Sequence, residues 1–371
     1  MTRRRSRVRR HGVLVPPLLV GMLVLVAGCS EGTSGSVGLT PAPAAAAGSQ
    51  AGSGEGAGRD AATTPVASDD AQGGSAGSPT SVTTTPAASA VASGQPLRFY
   101  ADPSQQAILE QAADDSERAL LSRIADQPQA IWLNGGTWDA ATLERAVRAS
   151  AAEGTVPVVV LYNIPTRDCS QYSAGGAADP SAYLAWVRQL ADRMDGRVWV
   201  VLEPDGLAAS DQCGGATRVR LLHDAGAILR AGGNRVYLDV GNAAWLPATE
   251  AASRLRAVGA DAFDGIALNV SNYETTADSV DYAERISAAY GSTLHAVVDT
   301  SRNGNGPTAD HQWCNPPGRA LGEAPRAVGE GVLDAILWVK IPGESDGTCN
   351  GGPAAGVFWK SNALELARGA G

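Results

Sequence analysis

Eight short apolar runs, separated by amphipathic stretches, constrain the fold of this 371-residue chain more than any other feature. They lie at residues 97–100, 130–133, 156–162, 198–202, 236–238, 266–270, 295–298 and 336–339. Helical patterns separate them, for example at residues 183–190 and 251–258. Apolar strands alternating with amphipathic helices are typical of a parallel sheet covered on both faces. Eight such runs predict an α/β fold of the (β/α) barrel type rather than an open doubly wound sheet.

Aromatic side chains delimit the folded part of the chain. All nineteen Phe, Trp and Tyr residues fall between Phe99 and Trp359, and residues 1–98 contain none. A segment without large apolar groups cannot offset the entropy cost of its own ordering. We therefore expect residues 96–371 to form the barrel domain. Residues 29–95, rich in Ala, Gly, Ser, Thr and Pro, are expected to form a disordered tether.

The N-terminus has the pattern of a targeting signal. Arginines up to Arg10 precede an apolar run at residues 13–26, and small residues lead directly to Cys29. This resembles a bacterial lipoprotein signal covering residues 1–28, after which Cys29 is lipidated and provides the chain's only contact with a membrane. The alternative is an ordinary secretory signal with a chance cysteine. Either signal predicts an extracytoplasmic protein, as a cell-envelope lipoprotein or in secreted form.

Four further cysteines, Cys169, Cys213, Cys314 and Cys349, lie in the predicted domain. Four cysteines allow three pairings. We expect nearest-neighbour bridges, Cys169 with Cys213 and Cys314 with Cys349, because an oxidising compartment favours disulfides over free thiols. Each bridge is expected to add about 3 to 4 kcal/mol of stability by restricting the unfolded chain.

Charge and motif content exclude several classes of function. The formal net charge is −9, and a basic cluster at the N-terminus makes the rest more acidic, so nucleic acid is not an expected partner. The four histidines show no metal-binding spacing and the cysteines include no CxxC, so we expect no metal. No GxGxxG follows the first strand and no GxSxG elbow follows any strand. We therefore expect no cofactor. We also expect the protein to be a monomer.

Polar and charged residues follow the predicted strands. They are Arg167, Asp168, Glu203, Asp205, Asp239, Asn269, Asn272, Asp299, Arg302, Lys340, Glu344 and Asp346. In a barrel the carboxyl ends of all strands meet at one rim, where active sites are built. Carboxylates that converge there repel one another, which separates their pKa values and allows one to act as an acid while another stays ionised.

Aromatic residues lie at or near the same strand ends. They are Trp132, Trp138, Tyr162, Trp245, Trp313 and Trp338. Sugar rings present flat apolar faces edged by hydroxyls, so tryptophans beside carboxylates and amides suit a polysaccharide cleft. The combination predicts a carbohydrate-active site.

Six motifs together resemble glycoside hydrolase family 6, the cellulases once called family B. They read VLYNIPTRDC at 160–169, VLEPDGL at 201–207, YLDVG at 237–241, NVSNY at 269–273, DTSRNGNGP at 299–307 and WVKIPGESDG at 338–347. They follow the family's order and span nearly all of residues 97–368. The resemblance implies a distorted barrel of seven parallel strands, so one terminal run is expected to lie outside the closed sheet.

The resemblance also implies individual roles. Asp205 matches the general acid, Asp168 the aspartate that raises the acid's pKa and organises water, Asp346 the candidate base and Tyr162 a tyrosine that distorts the sugar. Positions that match sugar-binding residues are Asp239, Trp245, Asn269, Trp313, Lys340 and Glu344. We add as substrate-binding candidates, from their place at the rim, Trp132, Asn272, Asp299, Arg302 and Trp338. Asn242 stands where the family commonly has His, and it cannot titrate near neutral pH.

The expected activity is inverting endo-hydrolysis of β-1,4-glucan. Cellobiohydrolases of this family enclose the glucan with two long loops, whereas only 35 residues separate Cys314 from Cys349 and few follow Asp346. A covering loop usually needs more than about 12 to 15 extra residues. The alternatives are an exo-acting cellobiohydrolase and a non-catalytic glycan-binding lipoprotein. The presence of Asp168, Asp205 and Asp346 disfavours the non-catalytic alternative.

Overall fold

The computed structural model describes residues 96–370. Its strands are β1 (Ile131–Leu133), β2 (Val158–Leu161), β3 (Trp199–Leu202), β4 (Arg235–Asp239), β5 (Gly265–Leu268), β6 (His295–Asp299), β7 (Arg326–Glu330) and β8 (Leu333–Leu337). Its α-helices are α1 (Asp115–Ala125), α2 (Asp139–Glu153), α3 (Pro180–Met194), α4 (Gly215–Ala231), α5 (Ala248–Val258), α6 (Thr276–Tyr290) and α7 (Lys360–Gly369). Short 3-10 helices span Pro103–Gln111, Asp168–Ser170 and Cys349–Gly351. None of the helices within residues 96–370 is long and apolar enough to cross a bilayer.

One sheet organises the domain, in the order β1-β2-β3-β4-β5-β6-β8-β7. All neighbours pair in parallel except β7, which pairs antiparallel with β8. The seven parallel strands confirm the distorted α/β barrel implied by the resemblance. The run at 97–100 lies outside the sheet and makes a single bridge, Phe99 to Val156. The short polar strand β7 was not predicted, because most of its residues are exposed and it carries no apolar run.

The sheet curls toward closure but does not close with a ladder between β1 and β8. One backbone bond, from Ala130 N to Trp338 O at 2.9 Å, joins the two strands. The Trp132 side chain adds a second link, because its Nε1 donates to Val339 O at 2.8 Å. The two edges of the barrel are therefore joined by these hydrogen bonds and not by a strand ladder.

Alternating strand residues supply two cores. Val159, Val200 and Leu238 belong to the cluster that the sheet forms with the surrounding helices. Val160, Val201 and Tyr237 belong to a second cluster, made of strand residues and neighbouring loops, that fills the barrel interior. Both faces of each parallel strand are thus buried, which explains the continuous apolar runs of the sequence. This rigid sheet fixes the positions of the loops that leave its carboxyl end.

The predicted signal peptide (1–28), the predicted lipidation site Cys29 and the predicted tether (29–95) lie outside the described residues. The predicted disulfides fall within them, and both are present: Cys169–Cys213 and Cys314–Cys349. The first connects the loop after β2 to the segment between β3 and α4. The second connects the loop after β6 to the loop after β8. Each bridge thus joins loops at the carboxyl end of the sheet.

Candidate active site

A cavity of about 1110 Å³ opens at the carboxyl ends of the strands. The sequence-predicted residues that line it are Trp132, Tyr162, Asp168, Asp205, Asn242, Trp245, Asn272, Trp313, Lys340, Glu344 and Asp346. They come from β1 itself and from the loops after β2, β3, β4, β5, β6 and β8. The parallel topology therefore brings together residues that are spread over more than 200 positions of the chain.

Asp205 follows β3 in a strained turn. Both it and Glu203 have positive φ angles, 66° and 48°, which is uncommon for residues with a side chain. Burial and the charge of Asp168 raise the pKa of Asp205 to about 7, with a smaller contribution from Asp346 and an opposing effect of Arg218. Asp205 is thus largely protonated in mildly acidic solution and can donate a proton into the cavity.

Asp239 supports Asp205 from below. Its Oδ1 accepts hydrogen bonds from Asp205 N at 2.9 Å and from Gly241 N at 3.0 Å. Burial, and then the charge of Asp205, raise the pKa of Asp239 well above its ordinary value. Its two hydrogen bonds fix the backbone of the turn that carries Asp205.

The loop after β2 carries Asp168 opposite this turn. Thr166, Asp168, Cys169 and Ser170 all have positive φ angles, from 45° to 68°. Such strain persists only where the surroundings hold it, and it is common at functional sites. Burial raises the pKa of Asp168, while the Ser173 N–H, which donates to its Oδ2 at 2.6 Å, acts in the opposite direction.

Two features hold the strained loop. The first is the Cys169–Cys213 disulfide. The second is Arg218, a buried residue of α4 whose Nη2 donates to Thr166 O at 2.8 Å, to Thr166 Oγ1 at 3.0 Å and to Pro165 O at 3.2 Å. Arg218 also lines the cavity and is the cation that opposes the rise in the pKa of Asp205.

Asp346 lies after β8 and is surrounded by donors. Its Oδ2 is 2.9 Å from Arg302 Nη1 and accepts hydrogen bonds from Asn315 N at 3.0 Å and from the Tyr273 hydroxyl at 3.4 Å. Its Oδ1 is 3.8 Å from Lys340 Nζ. Two cationic side chains therefore lie against this buried carboxyl group in the wall of the cavity.

Lys340 and Glu344 extend this wall. Lys340 Nζ lies 4.0 Å from a Glu344 carboxylate oxygen. Burial lowers the pKa of Lys340, against the opposing charge of Asp346. Burial raises the pKa of Glu344, and the positive charge of Lys340 opposes this rise. Their paired charges present both donors and acceptors to a polar ligand.

Aromatic rings form the remaining walls. The Tyr162 and Trp132 rings meet edge to face, with centroids 5.4 Å apart, and the Arg167 guanidinium lies 4.8 Å above the Tyr162 ring. Tyr172 and Trp313 lie in contact with centroids 6.0 Å apart, and they are 49% and 42% exposed. These exposed rings are available to stack on a sugar.

Five predicted substrate-binding residues do not line the cavity: Asp239, Asn269, Asp299, Arg302 and Trp338. All are buried beneath or beside it. Asp299 accepts four backbone N–H groups, from Ser271, Ser301, Val339 and Lys340, and so connects the loops after β5, β6 and β8. Asn269 binds the backbone of Glu274 and Asp299, and the Trp338 indole donates to Glu323 O. These five residues therefore hold the loops around the cavity in place and do not line it.

Sequence reasoning assigned no role to several residues of the site. Glu203 is buried and accepts the N–H groups of Asn163 and Ile164, and burial raises its pKa to about 7 despite these bonds. Its position two residues before Asp205, in the Glu-Pro-Asp motif, is the sequence signal that could have identified Glu203 as part of the site. Arg218 lies inside a helix, 13 positions from Asp205, and no local pattern identifies it. Tyr172 and His311 also line the cavity.

Comparison with known proteins gives a consistent result. The family model described as glycosyl hydrolases family 6 matches residues 95–370. Endoglucanase A of Cellulomonas fimi is 46% identical over 280 residues, which cover 73% of this chain and 61% of the relative. Endoglucanase A of Thermobispora bispora is 43% identical over 240 residues, covering 62% of this chain and 52% of the relative. The chain thus spans between half and two thirds of the length of these relatives.

A solved structure resembles the domain as a whole. It is the endoglucanase Cel6 from Mycobacterium tuberculosis, in complex with methyl-cellobiosyl-4-deoxy-4-thio-β-D-cellobioside. It is 38% identical in sequence, with a TM-score of 0.70, and the alignment covers 75% of this chain and 98% of that one. The similarity therefore extends over nearly the entire described part of the chain.

Proposed function

This chain belongs to glycosyl hydrolase family 6, and on that basis we propose that it is an endo-β-1,4-glucanase that hydrolyses cellulose or a related β-glucan with inversion of configuration. The observation that carries this proposal is the pair Asp205 and Asp346. One is a proton donor with a raised pKa, the other a carboxylate paired with two cations, and both line the same cavity. Inverting glycosidases use one carboxylic acid and one carboxylate in this way.

In the proposed reaction, Asp205 protonates the glycosidic oxygen as its bond to the anomeric carbon breaks. Water attacks that carbon from the opposite face, and its proton passes to Asp346. The negative charge of Asp168 contributes to the raised pKa of Asp205, so it keeps the acid protonated until the leaving group needs the proton. The two catalytic carboxyls are expected to lie about 6.5 to 9.5 Å apart, which leaves room for the water.

Tyr162 is proposed to distort the sugar at the point of cleavage. Trp132 and Arg167 hold its ring from two sides, so the ring cannot easily move away from a bound sugar. A rigid ring can force the sugar toward the flattened shape of the transition state. Trp245 and Trp313 are proposed as platforms for neighbouring sugars, and Lys340 and Glu344 as partners for their hydroxyls.

An open cleft supports endo-action. Trp313 and Tyr172 are 42% and 49% exposed although they line the cavity, so no segment of residues 96–370 covers them. Residues 347–359, between Asp346 and α7, include a short 3-10 helix and are tied down by the Cys314–Cys349 bridge. An uncovered cleft lets a glucan bind anywhere along its length, so internal bonds are accessible.

Carboxymethylcellulose tests this proposal. We expect viscosity to fall steeply while few reducing ends appear, because each internal cut shortens the polymer strongly. A slow fall in viscosity, with cellobiose as the dominant early product, would instead establish an exo-acting enzyme. Release of no reducing sugar from any soluble β-glucan would support the non-catalytic alternative.

The location is proposed from the N-terminal sequence and from the two disulfides, which form in oxidising compartments outside the cytoplasm. We propose a lipoprotein held at the cell envelope through Cys29, which lies outside the described residues.

Cys29→Ala is expected to release the protein from the membrane fraction without loss of activity, because the barrel does not include this residue. Unchanged fractionation of the variant with membranes would refute the lipid anchor.

A further inference from the structure

His311 and Glu274 form a pair at the cleft that the proposed reaction does not use. The His311 Nδ1 lies 2.7 Å from Glu274 Oε1. The Glu274 side chain is 4% exposed, whereas that of His311 is 50% exposed. A buried carboxylate therefore holds one nitrogen of an imidazole whose ring reaches solvent. His311 is also among the residues that line the cavity, and it lies two positions before the exposed ring of Trp313.

The position of Glu274 is fixed by the loops around it. Its backbone N donates to Asn269 Oδ1 at 3.0 Å. Its carbonyl accepts from Asn269 Nδ2 at 3.0 Å and from Asn303 Nδ2 at 3.1 Å. Two side-chain amides, from the loops after β5 and β6, thus hold this residue at its backbone. A carboxylate fixed in this way can orient its partner.

The backbone of His311 is also constrained. Its φ angle is 51°, in the left-handed region that residues with a side chain seldom adopt. Its N–H donates to Thr308 O at 2.9 Å, and the Cys314–Cys349 bridge holds the same loop three residues later. Strain of this kind is kept only where the surroundings impose it, and it is frequent at ligand sites.

The second ring nitrogen of His311 is free for a ligand. Nδ1 is engaged by Glu274, and within residues 96–370 no hydrogen bond involves Nε2. An imidazole whose Nδ1–H donates to a carboxylate offers Nε2 as an acceptor when neutral, and as a donor when protonated. A sugar hydroxyl both donates and accepts, so it can pair with Nε2 in either state.

We propose that His311, oriented by Glu274, is a sugar-contacting residue that contributes to glucan affinity beside Trp313. This inference rests on the proposed function. The role is binding and not proton transfer, since no hydrogen bond or ion pair within the described residues joins His311 to Asp205 or Asp346. Trp313 supplies a flat face for the sugar, and His311 supplies a fixed partner for a hydroxyl at its edge.

Binding of cellohexaose, measured by calorimetry in the full chain carrying Asp205→Asn to prevent turnover, tests the proposal. Adding His311→Ala is expected to raise Kd about three- to tenfold, the range for one lost hydrogen bond. Gln312→Ala is the matched control, because Gln312 is exposed in the same loop but does not line the cavity. It is expected to leave Kd unchanged.

The contribution of Glu274 is tested by a double-mutant cycle. Glu274→Gln should weaken cellohexaose binding when His311 is present and should have no further effect when His311 is replaced by Ala, because Glu274 acts through the imidazole. In the active enzyme, His311→Ala should raise KM by a larger factor than it lowers kcat.

Two results would overturn the inference. One is an unchanged Kd in His311→Ala, and the other is an equal change in Gln312→Ala. An unchanged Kd together with a fall in the Tm of His311→Ala would show that the pair only stabilises the fold. If the parent chain neither binds cellohexaose nor hydrolyses it, the proposed function fails as well.

Discussion

Asp205→Asn is expected to lower turnover on cello-oligosaccharides by about 10²-fold or more. The substitution removes the proton that the departing glycosidic oxygen needs, while the amide keeps the size of the side chain. Substrate affinity should change little, because the Asp205 backbone, which Asp239 holds, is unaffected. The loss should be much smaller for aryl glycosides with good leaving groups, since these depart with little protonation.

The pH dependence of the parent enzyme follows from the same residue. Because its pKa is raised to about 7, Asp205 is protonated below that pH and loses its proton above it. A general acid must be protonated to act, so kcat/KM should fall as the pH rises through about 7. This limb of the profile should be absent from the residual activity of Asp205→Asn on aryl glycosides.

Product stereochemistry provides an independent check on the assignment of Asp205 as an acid in an inverting reaction. Proton NMR of the first products of the parent enzyme should show the α-anomer. Retained configuration would refute the assignment, as would full activity of the Asp205→Asn variant on unactivated substrates.

Arg302→Leu is expected to destabilise the domain by about 3 to 5 kcal/mol, because it leaves the buried carboxylate of Asp346 without its closest cation. The Arg302 guanidinium lies 2.9 Å from Asp346 Oδ2 and 4.6 Å from the centroid of the Tyr273 ring, and it is fully buried. Since domains are stable by only about 5 to 15 kcal/mol, the midpoint of urea unfolding should fall markedly.

A surface ion pair provides the matched control for Arg302. Arg285 and Asp281 lie 2.9 Å apart on α6 with both side chains more than half exposed. Arg285→Leu should cost less than about 1 kcal/mol, because solvent already screens that pair. Similar losses in the two variants would show that the buried pair contributes no more to the free energy of unfolding than the exposed pair does.

The difference between residues that line the cleft and residues that support it was not visible in the sequence. Asp239, Asn269, Asp299 and Arg302 end or follow strands, much as Asp168 and Asp205 do, and these four were expected to bind substrate. In the structure these four residues use their hydrogen bonds on backbone groups and on Asp346. Whether a polar side chain at a strand end turns inward or toward the cleft depends on the conformation of its loop.

The barrel class of the fold and the location of the candidate site follow from the amino-acid sequence alone. Its apolar runs required strands buried on both faces, and parallel strands bring the residues after them to one rim, so the motifs that contain Asp168, Asp205 and Asp346 had to converge. The electrostatics of the site, in contrast, arise from tertiary packing. Burial and charges from distant segments set the pKa of Asp205, and Arg218 and the pair of Glu274 and His311 act across 37 or more positions of chain. No periodicity encodes such contacts, because they depend on how loops pack after the sheet has formed.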